Sequence, residues 1–404
     1  MKHKKQRYKS FLTYHYTDIR QEENGGITSD SLYGNPLYND RTSIPILLDN
    51  AFTRNLNQTV SYTQYYDLLP SGKDSTDTSS KRHLTLGHQL SFSAGDYKFY
   101  DDDVKASAES YYDTLNTDIR GLRHYVSWRR LENEFSVSTY KVKGKEKQPR
   151  DLLRVGLIQS YDKIKQEPKD TDLNNLFIFG EWKYRPTKFL ALDIYAKYGI
   201  GDAGSDYLIR GNLNLNLGKV GKFQAKILNQ RYSTDILHQS LYISKRQVYQ
   251  NNFVKPITTS IGATYHLPLT KTKLSVNYHL INNYVYYDTL SIPQQVSSAL
   301  SVLQFVAQQD FRFGIFGMEN TVALQYANDD YIRVPLLSLK NSTFVEGRVF
   351  KKVMLARLGF DFRMNTSYFA DAFQSATGQF HLQDEQELKA FPAVDLFLSF
   401  KVET

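Results

Sequence analysis

Histidine is the residue type in this 404-residue chain best suited to metal or proton chemistry, and the spacing of its nine copies offers little. His83 and His88 differ in parity, so in an extended segment they face opposite sides. His266 and His279 fall on neighbouring predicted strands and can meet across a turn, but no carboxylate or third ligand accompanies them. Asp101, Asp102 and Asp103, with Asp113 and Asp118, form an oxygen-rich segment of the kind that can hold Ca²⁺. Their spacing lacks the Gly-interrupted alternation of a calcium loop, so a solvated acidic loop is the plainer reading. Gly199–Gly204 lacks a phosphate-binding Lys-Ser/Thr, and no Gly-framed nucleophile stands beside a strand histidine. With zero Cys there is no disulfide and no thiolate site. The expectation is a non-enzyme with no catalytic, cofactor-binding or metal-ligating residues.

A different set is more informative. Asp193, Lys197, Arg210, Lys226, Glu319, Arg357, Asp361, Arg363, Asp395 and Lys401 alternate with apolar residues. Cross-strand ion pairs facing water would explain them. So would a charged lining that sets the field inside a pore. The two readings are compatible.

The elements that carry these residues have a period of two. In 351–366, Met354, Ala356, Leu358, Phe360, Phe362 and Met364 share one face, against Arg357, Gly359, Asp361 and Arg363 on the other. The pattern recurs along the chain at lengths near the roughly 9–11 residues that a tilted transmembrane strand requires. We expect about sixteen strands, near 7–17, 55–68, 82–98, 119–140, 150–164, 175–185, 188–200 and 205–217, then 222–232, 257–267, 272–287, 296–309, 311–326, 338–350, 351–366 and 390–402. Short connections at 185–187, 218–221, 268–271, 309–310 and 350–351 alternate with longer ones at 165–174, 233–256, 288–295, 327–337 and 367–389, the tight Gly201–Gly204 segment excepted. The same parity makes 18–54 and 99–118 outer loops. Outer-membrane barrels have this asymmetry, with short periplasmic turns and long outer loops.

Composition agrees. Tyr (30) and Phe (24) supply nearly all of the 14% aromatics, suiting a wall with rings at both lipid boundaries. Mean hydropathy is −0.49, as expected where only alternate strand residues meet lipid. No apolar window is long enough for a transmembrane helix. The net charge of +8 does not point to nucleic acid, because the bases sit at the chain start and in turns (Lys141, Lys143, Lys145, Lys147; Lys219, Lys222; Lys271, Lys273). In this setting the acidic loop could bridge a divalent cation to lipopolysaccharide.

Asn341 to Lys352, Arg357 to Phe369, Gly378 to Gln383 and Phe391 to Phe400 together resemble the putative-porin family of Bacteroides-type bacteria. Glu23 to Asp30 and Gly201 to Tyr207 resemble further patches of it. The resemblance implies an outer-membrane protein that meets lipid and lipopolysaccharide and is inserted by the barrel-assembly machinery. Members normally start with a signal peptide and run on to an aromatic C-terminal residue, so the chain is expected to be one barrel domain belonging to a longer barrel, with no durable seam between its end strands. The expected fold is an all-β antiparallel up-and-down barrel, closed or left as an incomplete wall. The expected function is passive diffusion of small hydrophilic solutes through a water-filled lumen. The alternative is a binding or receptor barrel that uses its long outer loops.

Overall fold

The computed structural model describes residues 7–68, 82–102, 104, 111, 112, 115, 120–141, 149–350 and 353–402. Sixteen strands form one antiparallel sheet in which each pairs with its neighbours in sequence. They are β1 (Tyr8–Glu23), β2 (Ala51–Asp67), β3 (Arg82–Asp101), β4 (Leu122–Lys141), β5 (Asp151–Gln166) and β6 (Lys169–Tyr184). Next come β7 (Leu190–Gly201), β8 (Tyr207–Asn216), β9 (Lys222–Arg231), β10 (Ile257–Leu267) and β11 (Thr272–Asn282). The wall ends with β12 (Leu300–Phe313), β13 (Phe316–Ala327), β14 (Leu337–Val349), β15 (Met354–Asn365) and β16 (Ala393–Val402). Among the described residues β1 and β16 do not pair with each other, so the wall is not closed between them. Helix is confined to single turns such as Ile236–Gln239.

The two faces differ as the period-two pattern requires. Phe360 and Leu396 are exposed on the apolar face, Leu396 at 84%, and among the described residues no second sheet of comparable size is stacked on them. That excludes a soluble sandwich and gives the wall of a barrel. The strands are unequal in length: β3 and β4 have 20 residues each, β8 and β9 only 10. Along β5 the apolar face runs Leu153, Val155, Leu157 and Tyr161 and then turns to Lys163 and Lys165. The longer strands therefore continue beyond the apolar belt.

Several predicted boundaries are displaced, β1 running on to Glu23 beyond the expected 17, and three of the shifts have a clear local reason. The expected loop at 165–174 is a tight hairpin at Glu167-Pro168, with Gln166 already paired to Lys169. The turn expected at 309–310 lies at Gly314–Ile315, where Gly314 has φ +61° and Phe313 pairs with Phe316. β11 stops at Asn282 because Asn283 adopts φ +57°, and Val285–Tyr287 pairs separately with Pro293–Gln295.

Packing on the polar face uses aromatic rings laid over glycines. Phe344 of β14 is buried between Gly317 and Gly359, its partners on the flanking strands. A methyl at Gly359 would sit 2.3 Å from the Thr343 carbonyl oxygen and 2.6 Å from Phe344 Cβ. Gly359→Ala is expected to destabilise the wall by about 1–3 kcal/mol, the usual cost of overpacking. The urea midpoint of folded protein in detergent checks this; an unchanged midpoint would show that the ring slides aside freely.

Candidate functional site at the outer mouth

The predicted charged residues divide into two groups. Arg357 Nε contacts Glu346 at 3.0 Å, and its Nη2 lies 3.4 Å from Glu319. Arg312 completes the set, 3.3 Å from Glu319 and 3.6 Å from Glu346. Both guanidiniums cap the Phe344 ring, with Cζ to centroid distances of 3.6 Å for Arg357 and 4.4 Å for Arg312. Asp361 and Asp395 are directly paired positions, and Arg363 ion-pairs with Asp395. Sequence reasoning missed Arg312 and Glu346, which complete the network. The remaining five stand elsewhere. Asp193 pairs with Arg185 at 3.0 Å. Lys197 lies over Phe177 and Arg210 over Tyr195. Lys226 faces Asn212 and Gly262, and Lys401 faces Leu355.

The histidines make no metal site. His266 is paired with Lys273, whereas His279 bonds Ser260 at 2.8 Å, so the two do not meet. Asp101 accepts a hydrogen bond from Tyr112 Oη at 2.8 Å. Asp103, Asp113 and Asp118 lie outside the described residues. Among the described residues no three His, Asp or Glu side chains are grouped to hold a metal ion.

The sequence did not reveal where the outer loops go. The segment between β9 and β10 carries a small hairpin, Ser240–Ile243 with Arg246–Gln250. It does not stay beside its own strands. Gln166 at the outer end of β5 donates to Ser240 O at 3.1 Å and accepts from Tyr242 N at 3.3 Å. Ser244 N donates to Arg123 O at 2.8 Å. The segment between β15 and β16 reaches the same region, where His124 Nδ1 contacts Ala376 O at 3.0 Å. These loops start several strand positions away from β3–β5, so they cross the mouth of the wall on its polar side.

Other loops lock onto them. Gln295 exchanges two hydrogen bonds with the backbone of Val254, at 3.0 and 2.7 Å. Leu382 N donates to Tyr287 O at 3.0 Å, and Gln386 donates to Asp30 at 3.0 Å. A buried apolar cluster forms beneath, with Leu48, Phe99, Leu122, Leu241, Tyr249 and Tyr287 among its members. Burial pushes the Tyr287 phenol up to about 12 and raises that of Tyr249. Burial also holds the His238 imidazole below its usual range, against the pull of Asp235. The clue in the sequence was the apolar content of a nominal loop: Ile236, Leu237, Leu241 and Ile243 would not all be left in water.

Below these loops is a cavity of about 480 Å³ lined by Asn55, Asn57, Tyr97, Trp128, Asp235 and Gln379, among others. The Trp128 indole lies against Gly95, where an added methyl would meet its Nε1 at 2.4 Å. The floor is thus an aromatic plate edged by side-chain amides and one carboxylate. His124 Nε2, Thr234 Oγ1 and Ser240 Oγ are buried without a hydrogen-bond partner among the described residues.

Comparison with known proteins follows the geometry. A search of curated proteins returns no match to the chain. Among solved structures, the FrpB iron transporter from Neisseria meningitidis (F5-1 variant, apoprotein) aligns with TM-score 0.54 at 11% identity, covering 98% of this chain and 70% of that one. The copper transporter OprC aligns with TM-score 0.54 at 10% identity, covering 96% and 69%. The FpvAI–pyocin S2 complex aligns with TM-score 0.47 at 9% identity, and this chain spans 60% of that chain's length. The shared feature is the fold of a large outer-membrane β-barrel.

These findings correct the expectation of passive diffusion. Strand number sets how wide a barrel is, not what fills it. Here the outer loops close over the polar side, and the two solved barrels with the higher of these scores are named as transporters of iron and of copper. A scan of family models matches residues 2–404 to the family described as "Putative porin", and the chain belongs to that family.

Proposed function

We propose that the protein is a receptor-type outer-membrane barrel that takes up a specific organic ligand through the loop-closed mouth. The observation that carries this reading is the pocket itself: loops from distant strands meet on the wall and line a half-open cleft of about 480 Å³ against Trp128 and Tyr97. That volume lies within the range of small-molecule sites. Its single carboxylate, Asp235, suits a complexed or organic solute better than a bare cation. The iron and copper transporters of similar fold make a metal chelate the first class to try. In this reading the chain forms one barrel domain. Asp193, Lys197, Arg210, Lys226, Glu319, Arg357, Asp361, Arg363, Asp395 and Lys401 line the space below the loops, beyond the pocket.

The chain's two tryptophans, Trp128 and Trp182, make a direct test possible. In Trp182→Phe protein only Trp128 reports. Titration with a ferric chelate, a cupric chelate and a neutral oligosaccharide is expected to give saturable quenching by one of them, weakened roughly tenfold or more by Asp235→Asn or Gln379→Ala, which is 1.4 kcal/mol per factor of ten. Unsaturable quenching by all three, or equal binding in both variants, would remove the receptor reading.

A further inference from the structure

Strands β8, β9, β10 and β11 contain no Asp or Glu, yet carry Arg210, Lys222, Lys226, Arg231 and Lys273. Register concentrates the charge. Lys222 stands directly opposite His266, which stands directly opposite Lys273 on the next strand. Asn216 continues the row on β8 and Gln308 on β12. All five belong to the polar face, at the end of the wall away from the outer loops. Some charges on this face are ion-paired, as Arg185 with Asp193 and Lys183 with Glu181. Among the described residues Lys188, Lys222, Lys271 and Lys273 have no carboxylate within 4.0 Å.

Two clefts flank the row and share His266 and Lys273. One, of about 510 Å³, also takes in Lys188, Lys222, Asn216 and Gln224. The other, of about 640 Å³, is lined by Lys271, Lys340 and Arg357 but also by Asp310, Glu319 and Asp361, so its charge is mixed and it lies outside the cationic site. The side-chain amides supply neutral donors beside the cations, the mixture that oxyanions accept. Adjacent strands lie about 4.8 Å apart, so Lys222 and Lys273 are separated by roughly 10 Å. One small monovalent anion does not span that gap, whereas a solute with two or more anionic groups does.

We propose that this row and the first of these clefts, with Lys188, Lys222 and Lys273 in its lining, form a binding site for a multivalent oxyanion, a small solute bearing several phosphate or carboxylate groups. The site stands apart from the outer pocket and does not depend on the receptor reading. Its ligand supplies the counter-charge that Lys222 and Lys273 lack among the described residues.

Calorimetry on purified protein in neutral detergent at low salt tests it, with pyrophosphate and citrate as probes and acetate as control. Saturable binding is expected for pyrophosphate, citrate or both, which also tells phosphate from carboxylate preference. Acetate should bind roughly tenfold or more weaker, and binding should fall as salt rises. Lys222→Gln/Lys273→Gln should weaken the probes about tenfold or more while leaving the thermal midpoint unchanged, since neither lysine makes an ion pair among the described residues. Trp128→Ala should bind the probes as the parent does. Absence of binding by both probes up to millimolar concentration, or unchanged binding in the double variant, overturns the site. So does loss of binding in Trp128→Ala. Failure of the chelate titration at the outer pocket has no bearing on it.

Discussion

Deleting Ile236–Tyr249 and bridging the gap with a Gly-Ser linker is expected to expose position 122 to water-soluble thiol reagents, raising its labelling rate by roughly 100-fold. Leu122 is fully buried at the outer end of β4, and the backbone of its neighbour Arg123 is bonded to Ser244. A cysteine there is reached only when the loop layer opens, so labelling reads the free energy of local opening, with a factor of ten for each 1.4 kcal/mol. The natural sequence has no Cys, so Leu122→Cys gives a single signal without background. Labelling of the intact-loop protein with an impermeant maleimide should be slow, and labelling of the deletion fast. Equal rates would mean that the loops do not close the mouth in solution.

Phe99→Ala is the second large effect. Phe99 sits at the outer end of β3 with its side chain fully buried in the loop cluster, edge-on to Tyr112 with ring centroids 6.5 Å apart. Truncation removes the ring and leaves a cavity, a change that costs about 3–5 kcal/mol in a well-packed core. The loss should be local: hydrogen exchange in 236–250 and 285–296 accelerates, and a protease nicks these segments while the strands stay folded. Phe99→Leu should recover much of the loss. Cooperative unfolding of the whole wall would instead show that loops and wall form one unit.

The wall was legible because each strand repeats its own evidence. A run such as Met354, Ala356, Leu358, Phe360 states its face without reference to any other segment, and all sixteen strands were placed from such runs. Failures came where a single residue decides the geometry, as at Gly314 and Asn283. On the charged face the alternation named ten residues but not Arg312 and Glu346, whose contacts come from meeting over Phe344 across neighbouring strands. The mouth was the least legible. The contacts of Gln166 with Ser240 and of His124 with Ala376 join residues 74 and 252 positions apart. No local period records such a meeting. The mistaken open pore followed from that gap, since strand count was available and loop destination was not.

Unequal strand length has a consequence at the cell surface. At about 3.3 Å per residue and a tilt near 40°, β3 and β4 rise roughly 50 Å, against roughly 25 Å for β8 and β9. A 25 Å rise is about the height of the apolar band alone. The rim is therefore lopsided, with a parapet on one flank and a low sill on the other. Beside β7 and β8 the connection 202–206 is brief and adds almost no height, and the next outer loop packs onto it through Lys255, 2.8 Å from Gly204 O and 2.7 Å from Asp206.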